Sequence, residues 1–190
     1  MTTDVTHLLA ARLRELRGKS GLSLDALAQR SSVSRSNISL IERGASSPSA
    51  VVLDKLATAL GVSVASLFEA PARAEPPSPL LRVADQPVWS DPASGYRRRN
   101  VSPPGVSPLQ LVDVVFPPGQ TVRFETAERG STIHQLVWMI DGSMQIGHGD
   151  QRWQLAAGDC LALRLDAPVH FHNPGPQAAR YLVALTGAAS

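Results

Sequence analysis

Two periodicities divide the chain. Through residue 70 the apolar positions recur every three or four residues, whereas from about residue 82 they fall in short alternating runs punctuated by Pro and Gly. In the first stretch Leu9, Leu13 and Leu16 form one stripe, ended by Gly18 and Gly21, which predicts a helix over 7–18. Ser23 is a ready N-cap for a second helix carrying Leu24, Leu27 and Ala28. After Ser31-Ser32-Val33, Ser34 caps a third that carries Ile38 and Ile41. Gly44 stops it, and Pro48-Ser49 opens a fourth with Val52, Leu53, Leu56 and Leu60. Gly61 and Ser63 then lead into a fifth through Leu67 and Phe68. The expectation is an all-α unit of five short helices.

The second stretch offers β-type runs at 109–116, 121–126, 132–140, 143–147, 151–155, 160–165 and 179–186. Asp141-Gly142 is a hairpin signal, and Gly147-His148-Gly149-Asp150 and Ala157-Gly158-Asp159 serve as turns. About ten strands over 82–188, with no helical pattern between them, predict an all-β sandwich or small barrel. Between the two stretches, residues 70–79 hold four prolines in ten positions, which reads as a stiff linker. The expected division is 1–70, a Pro-rich linker at 71–81, and 82–190.

Composition narrows the classes. A hydrophobic share of 43% over 190 residues excludes wholesale disorder. No apolar run reaches about eighteen residues, and Met1-Thr2-Thr3-Asp4 lacks a signal-peptide pattern, so a cytoplasmic location is expected. The single Cys160 excludes an internal disulfide and a thiolate zinc cluster. The formal net charge is only +2, with eight basic and six acidic residues in 1–70. Any nucleic-acid contact must therefore be local.

The run Leu24-Asp25-Ala26-Leu27-Ala28-Gln29-Arg30, then Val33-Ser34-Arg35-Ser36-Asn37-Ile38-Ser39-Leu40-Ile41-Glu42-Arg43-Gly44, then Pro48-Ser49, resembles the lambda-repressor/Cro-type (XRE) helix-turn-helix over residues 7–69. The resemblance implies that the third helix reads double-stranded DNA. The residue pattern agrees: Ile38 and Ile41 supply a short apolar back, and Arg35, Ser36, Asn37 and Ser39 a polar front. Arg35 can bond guanine O6 and N7 together and is the leading specificity candidate. Ser34 and Ser36 at the helix start can hold phosphate, with Gln29, Arg43 and Lys55 as flanking contacts. On an arbitrary helix Arg35 and Arg43 would be solvated charges, and the run Arg97-Arg98-Arg99 reads as a solvated strand edge.

Residues 109–185 resemble the cupin double-stranded β-helix. Pro117-Pro118-Gly119, Gln135-Leu136-Val137-Trp138-Met139-Ile140-Asp141-Gly142, Trp153-Gln154-Leu155-Ala156-Ala157-Gly158-Asp159 and Asp166-Ala167-Pro168-Val169-His170-Phe171-His172-Asn173 carry the likeness. Both halves together resemble XRE-cupin transcriptional regulators. A metal-binding cupin presents His-x-His, a Glu and a last His. Counting from Gly119 puts Glu125 and Ala127 at the His-x-His positions, Gln135 at the Glu position and Val169 at the last His. With Val169, Phe171 and Asn173 inward no metal site survives; with the other face inward His170 and His172 become fallback ligands. The expectation is no metal, no cofactor and no catalytic residue. The barrel is instead expected to hold an effector pocket with Arg123, Glu125 and Gln135 as polar handles and Met139 and Phe171 as walls. His134, on the opposite strand face from Gln135, is expected outside.

These readings converge on a sequence-specific DNA-binding transcriptional regulator that senses a small-molecule effector and, by the resemblance, works as a homodimer. The alternatives are a metal-dependent cupin enzyme fused to a DNA-binding module, and a barrel serving dimerisation alone.

Overall fold

In the computed structural model the described residues are 5–69, 78–125 and 133–186. The helical head contains α1 (Val5–Lys19), α2 (Leu24–Ser31), α3 (Arg35–Glu42) and α4 (Ala50–Leu60). Three serines start three of them as expected. Ser23, Ser34 and Ser49 accept hydrogen bonds from the N–H groups of Ala26, Asn37 and Val52 at 3.1, 3.3 and 3.5 Å. The α2–α3 turn has a staple that periodicity alone does not reveal. Ser31 Oγ donates to the Leu27 carbonyl at 2.6 Å and accepts from Val33 N–H at 3.3 Å, holding Ser32 in the left-handed region at φ 54°. The fifth expected helix is instead a single 3-10 turn, Ala65–Phe68. Glu69 is already extended, at φ −75° and ψ 140°, where its carboxylate meets Arg12 and Gln110, so no α ladder develops.

Ten strands follow among the described residues: β1 (Val88–Ser90), β2 (Arg97–Asn100), β3 (Leu109–Phe116), β4 (Thr121–Phe124), β5 (His134–Asp141), β6 (Ser143–His148), β7 (Gln151–Ala156), β8 (Cys160–Arg164), β9 (Val169–His172) and β10 (Ala179–Thr186). They form a six-stranded sheet, β1-β2-β3-β10-β5-β8, and a four-stranded sheet, β4-β9-β6-β7. Every pairing is antiparallel. The turn over 147–150 is the expected hairpin, joining β6 to β7. Asp141-Gly142 is not a hairpin: it lies where the chain leaves one sheet for the other. Gly142 takes φ 76° there, and a Cβ would lie 2.9 Å from the Ala179 Cα, so the corner needs glycine for two separate reasons.

Head and barrel share one core. Phe68 packs on Trp89 (5.8 Å between centroids), Trp89 on Tyr96 (5.7 Å) and Tyr96 on Phe116 (5.5 Å), an aromatic series running from the 3-10 turn into the barrel. Polar ties accompany it. Asp91 accepts the Ala50 N–H at 3.0 Å and so caps α4 from the barrel side. Asn100 donates to the Ala65 carbonyl at 3.0 Å, and Ser63 donates to Gln110 at 2.7 Å.

Candidate nucleic-acid interface and barrel cavity

The helix-turn-helix is held from behind by an ion cluster. Glu42, the last residue of α3, is buried and receives Arg17 Nε at 2.7 Å and one Arg17 Nη at 2.8 Å. Arg14 donates to the Glu42 carbonyl at 2.6 Å. This forked pairing holds the Arg17 pKa above its ordinary value and fixes α3 against α1. Glu42 thus acts in support, while Ile38 and Ile41 are buried beneath the exposed face.

That outer face carries the expected residues. Ser34, Arg35 and Ser36 are exposed, as are Gln29 on α2 and Arg43 just past α3; Asn37 and Ser39 are half-buried, and Lys55 is half-buried on α4. Arg35 Nε lies 3.0 Å from Asp25 Oδ1, an ion pair between exposed side chains that water screens heavily. Arg43 Nε bonds back to the Ser39 carbonyl at 3.2 Å. Leu40 is a further member that the sequence reading passes over. It is 38% exposed on α3, off the Ile38/Ile41 stripe, and an apolar side chain there suits a thymine methyl. Its departure from the buried stripe was the available signal.

Inside the barrel, β9 shows which of its alternate residues face inward. Val169, Phe171 and Asn173 are buried, and Val169 and Phe171 line the interior cavity. Asn173 donates to the Phe116 and Gln177 carbonyls at 3.1 and 2.8 Å. His170 and His172 consequently face outward, and His172 Nδ1 lies 2.9 Å from Thr121 Oγ1. On β4 the inward residues are Val122 and Phe124, so Arg123 and Glu125 lie exposed and away from the cavity. The register counted from Gly119 is therefore one residue off. Ala127 lies outside the described residues. Of the expected pocket residues, Gln135 and Phe171 line the cavity. Met139 is fully buried nearby without lining it, and His134 is exposed as expected.

The cavity, of about 90 Å³, is mostly apolar, with Val112, Val114, Phe116, Phe124 and Tyr181 among its walls. Its polar members are Tyr96, Arg98 and Gln135 from the barrel and Asp54 and Ser63 from the head. Burial pushes the Tyr96 phenol up to about 12 and raises that of Tyr181 as well. Arg98 overturns the reading of 97–99 as a solvated edge. It is only 8% exposed, with its guanidinium 5.3 Å from the Phe68 ring centroid. Strand alternation places Arg97 outside and Arg98 inside.

Residues 8–69 match the helix-turn-helix domain family. The HTH-type transcriptional regulator PuuR of Escherichia coli (strain K12) is 25% identical over 175 residues, which cover 92% of each chain. The HTH-type transcriptional regulator SutR of the same organism is 36% identical over 73 residues, covering 38% of this chain and 41% of SutR. A crystal structure of an HTH_3 family transcriptional regulator from Vibrio cholerae superposes with a TM-score of 0.73 at 22% identity, covering 97% of this chain and 98% of that one. The shared fold therefore extends over head and barrel alike. No helix among the described residues is long and apolar enough to cross a membrane.

Proposed function

We propose that this chain, an XRE-cupin transcriptional regulator, binds an operator as a homodimer through α3 and senses a small-molecule effector in its barrel. The observation that carries the reading is the face of α3. Arg35 and Ser36 stand exposed at a serine-capped helix start, with Asn37, Ser39 and Leu40 following, while the back of the helix is locked by Ile38, Ile41 and the Arg17–Glu42 pair. Such a helix enters the major groove N-terminus first, with Arg35 toward a base edge and Ser34, Ser36 and the free amides toward phosphate. On binding, Arg35 exchanges its weak pairing with Asp25 for a guanine edge.

One helix of this length reads only a few base pairs, so two heads on half-sites about one helical turn apart, roughly 34–36 Å, supply the specificity. The cavity supports effector control because both units line it: Asp54, Ser63, Val64 and Ala65 come from the head. A ligand that fits better in one head–barrel arrangement shifts the population toward it.

The test is selection of an operator from a random duplex library, followed by affinity measurements on single-base variants. Arg35→Ala is expected to lose about 1–3 kcal/mol of discrimination at one base pair while leaving the others unchanged. Equal weakening on every sequence would make Arg35 a phosphate contact instead. Absence of any selected sequence would overturn the reading of α3.

A further inference from the structure

Arg98 is a buried cation without a counter-ion. It is 8% exposed, its Nε–H has no hydrogen-bond acceptor, and no carboxylate of the described residues lies within ion-pair distance. Of the acids nearby, Asp113 takes Arg99 and Arg180 on the outer face, Asp91 caps α4 and bonds Ser94, and the buried Asp54 lines the same cavity from the head without forming an ion pair with Arg98. Around the guanidinium stand the Phe68 ring and the Tyr96 and Tyr181 phenols. Taking an ionised group out of water without a partner costs several kcal/mol, and folds resolve that cost by pairing the charge. Here the pairing partner has a place to sit, because Arg98 borders the 90 Å³ cavity.

We propose that this cavity binds a small monocarboxylate, its carboxylate paired with Arg98 and its short apolar body packed against Val114, Phe171 and Tyr181. The proposal deepens the effector reading above and rests on it for its regulatory meaning. Charge count sets the class. One guanidinium neutralises one negative charge, whereas a phosphate dianion would set a second charge against the Asp54 carboxylate and the apolar walls of the same cavity. Shape agrees, since the planar fork of Nε–H and one Nη–H matches a carboxylate with two parallel bonds. A cavity of about 90 Å³ suits a carboxylate on a short carbon chain. Gln135, 9% exposed on the same wall, offers an amide to a second polar atom of the ligand.

The site also has a route to the head. The Arg98 charge rests on Phe68 in the 3-10 turn, and α1 grips that turn through Arg12, which donates to the Ser66 carbonyl at 3.1 Å and pairs with Glu69 at 3.0 Å. A carboxylate that draws the guanidinium toward itself acts on the turn that joins head to barrel.

The experiment is calorimetric titration of the full chain with acetate, propionate, butyrate, valerate and benzoate, with butyramide and inorganic phosphate as controls. Saturable binding that peaks within the carboxylate series is expected, with no heat from butyramide or phosphate. Arg98→Met keeps the apolar stem and loses the charge. It should weaken the best carboxylate roughly tenfold to a hundredfold, and it should melt no lower than the wild type without ligand, because an unpaired charge has gone. Arg98→Lys should retain a part of the binding. No saturable binding by any carboxylate, or equal binding by Arg98→Met, would overturn the assignment. Operator affinity measured beside each titration separates the two readings. Carboxylate binding that leaves operator affinity unchanged keeps the site and removes the effector role. Operator release by butyramide or phosphate instead keeps effector control and removes the carboxylate assignment.

Discussion

His170 rests its imidazole on Gly147 of the neighbouring strand, where an added Cβ would come within 1.9 Å of Cε1. Burial there, reinforced by the positive charge of Arg152, Arg123 and His172, holds the His170 pKa below the ordinary imidazole value. The unfolded chain therefore takes up this proton first on acidification. The contribution of His170 to stability is present above the unfolded value and is lost as the pH falls through the lower, folded one. Gly147→Ala should push the ring into solvent, raise its pKa toward the ordinary value and narrow that window, with a stability loss on the order of 1 kcal/mol. An NMR titration of the His170 Cε1 proton checks this: an unchanged midpoint in Gly147→Ala would show that the glycine contact does not set it. The same residue-scale logic explains Arg98. Within a run of three arginines only strand alternation tells which one turns inward, and β2 has no hydrophobic pattern to mark which face that is.

At the scale of elements, α4 owes its start to two parts of the chain. Ser49 caps it locally, and Asp91, 41 residues downstream, accepts the Ala50 N–H. Asp91 is 3% exposed and also takes the Ser94 N–H at 3.0 Å, so its removal leaves several buried donors without an acceptor. Asp91→Ala should cost about 1–3 kcal/mol and loosen head from barrel, separating one denaturant transition into two. A single transition with an unchanged midpoint would show that this cap is redundant. The contrast between the two caps measures what the sequence discloses. Ser23, Ser34 and Ser49 were legible because a cap acts within three residues, and most strands were legible because alternation is local. Asp91 was not, since its helix lies 41 positions away. The corner at Gly142 read as a hairpin for the same reason: a turn signal fixes a reversal but not which sheet receives the next strand. The β4 register failed by one residue, which moved Arg123 and Glu125 to the outer face. Leu40 and Gln135 mark the opposite case, in which face assignment needed only helical or strand periodicity.

Across the whole molecule the two sheets present unlike outer faces. That of the four-stranded sheet is polar, with Thr121, Arg123, Gln145, Arg152 and His172. That of the six-stranded sheet exposes Trp138 at 49%, Leu136 at 47% and Leu109 at 46%. Pairing aligns these into apolar rows, Leu136 beside Ala162 and Ala184, and Trp138 beside Cys160 and Leu182. Trp138 and Leu136 sit on β5, inside the sheet rather than on its edge. A contiguous apolar face centred on a tryptophan is what a two-fold partner would cover, because the same patch meets itself across the axis. Under the proposed reading of an operator by paired heads, the occupant of this face is a second copy of this chain. Trp138→Arg places two like charges near that axis and should weaken the dimer by 2 kcal/mol or more, about thirtyfold. Because the side chain is exposed in the single chain, melting of the monomer should shift by no more than about 0.5 kcal/mol. Sedimentation at micromolar concentration should then give a monomer with an intact circular dichroism spectrum, and affinity for a two-half-site operator should fall toward that for one half-site. A Trp138→Arg chain that still sediments as a dimer and binds the full operator unchanged would move the dimer contact off this face.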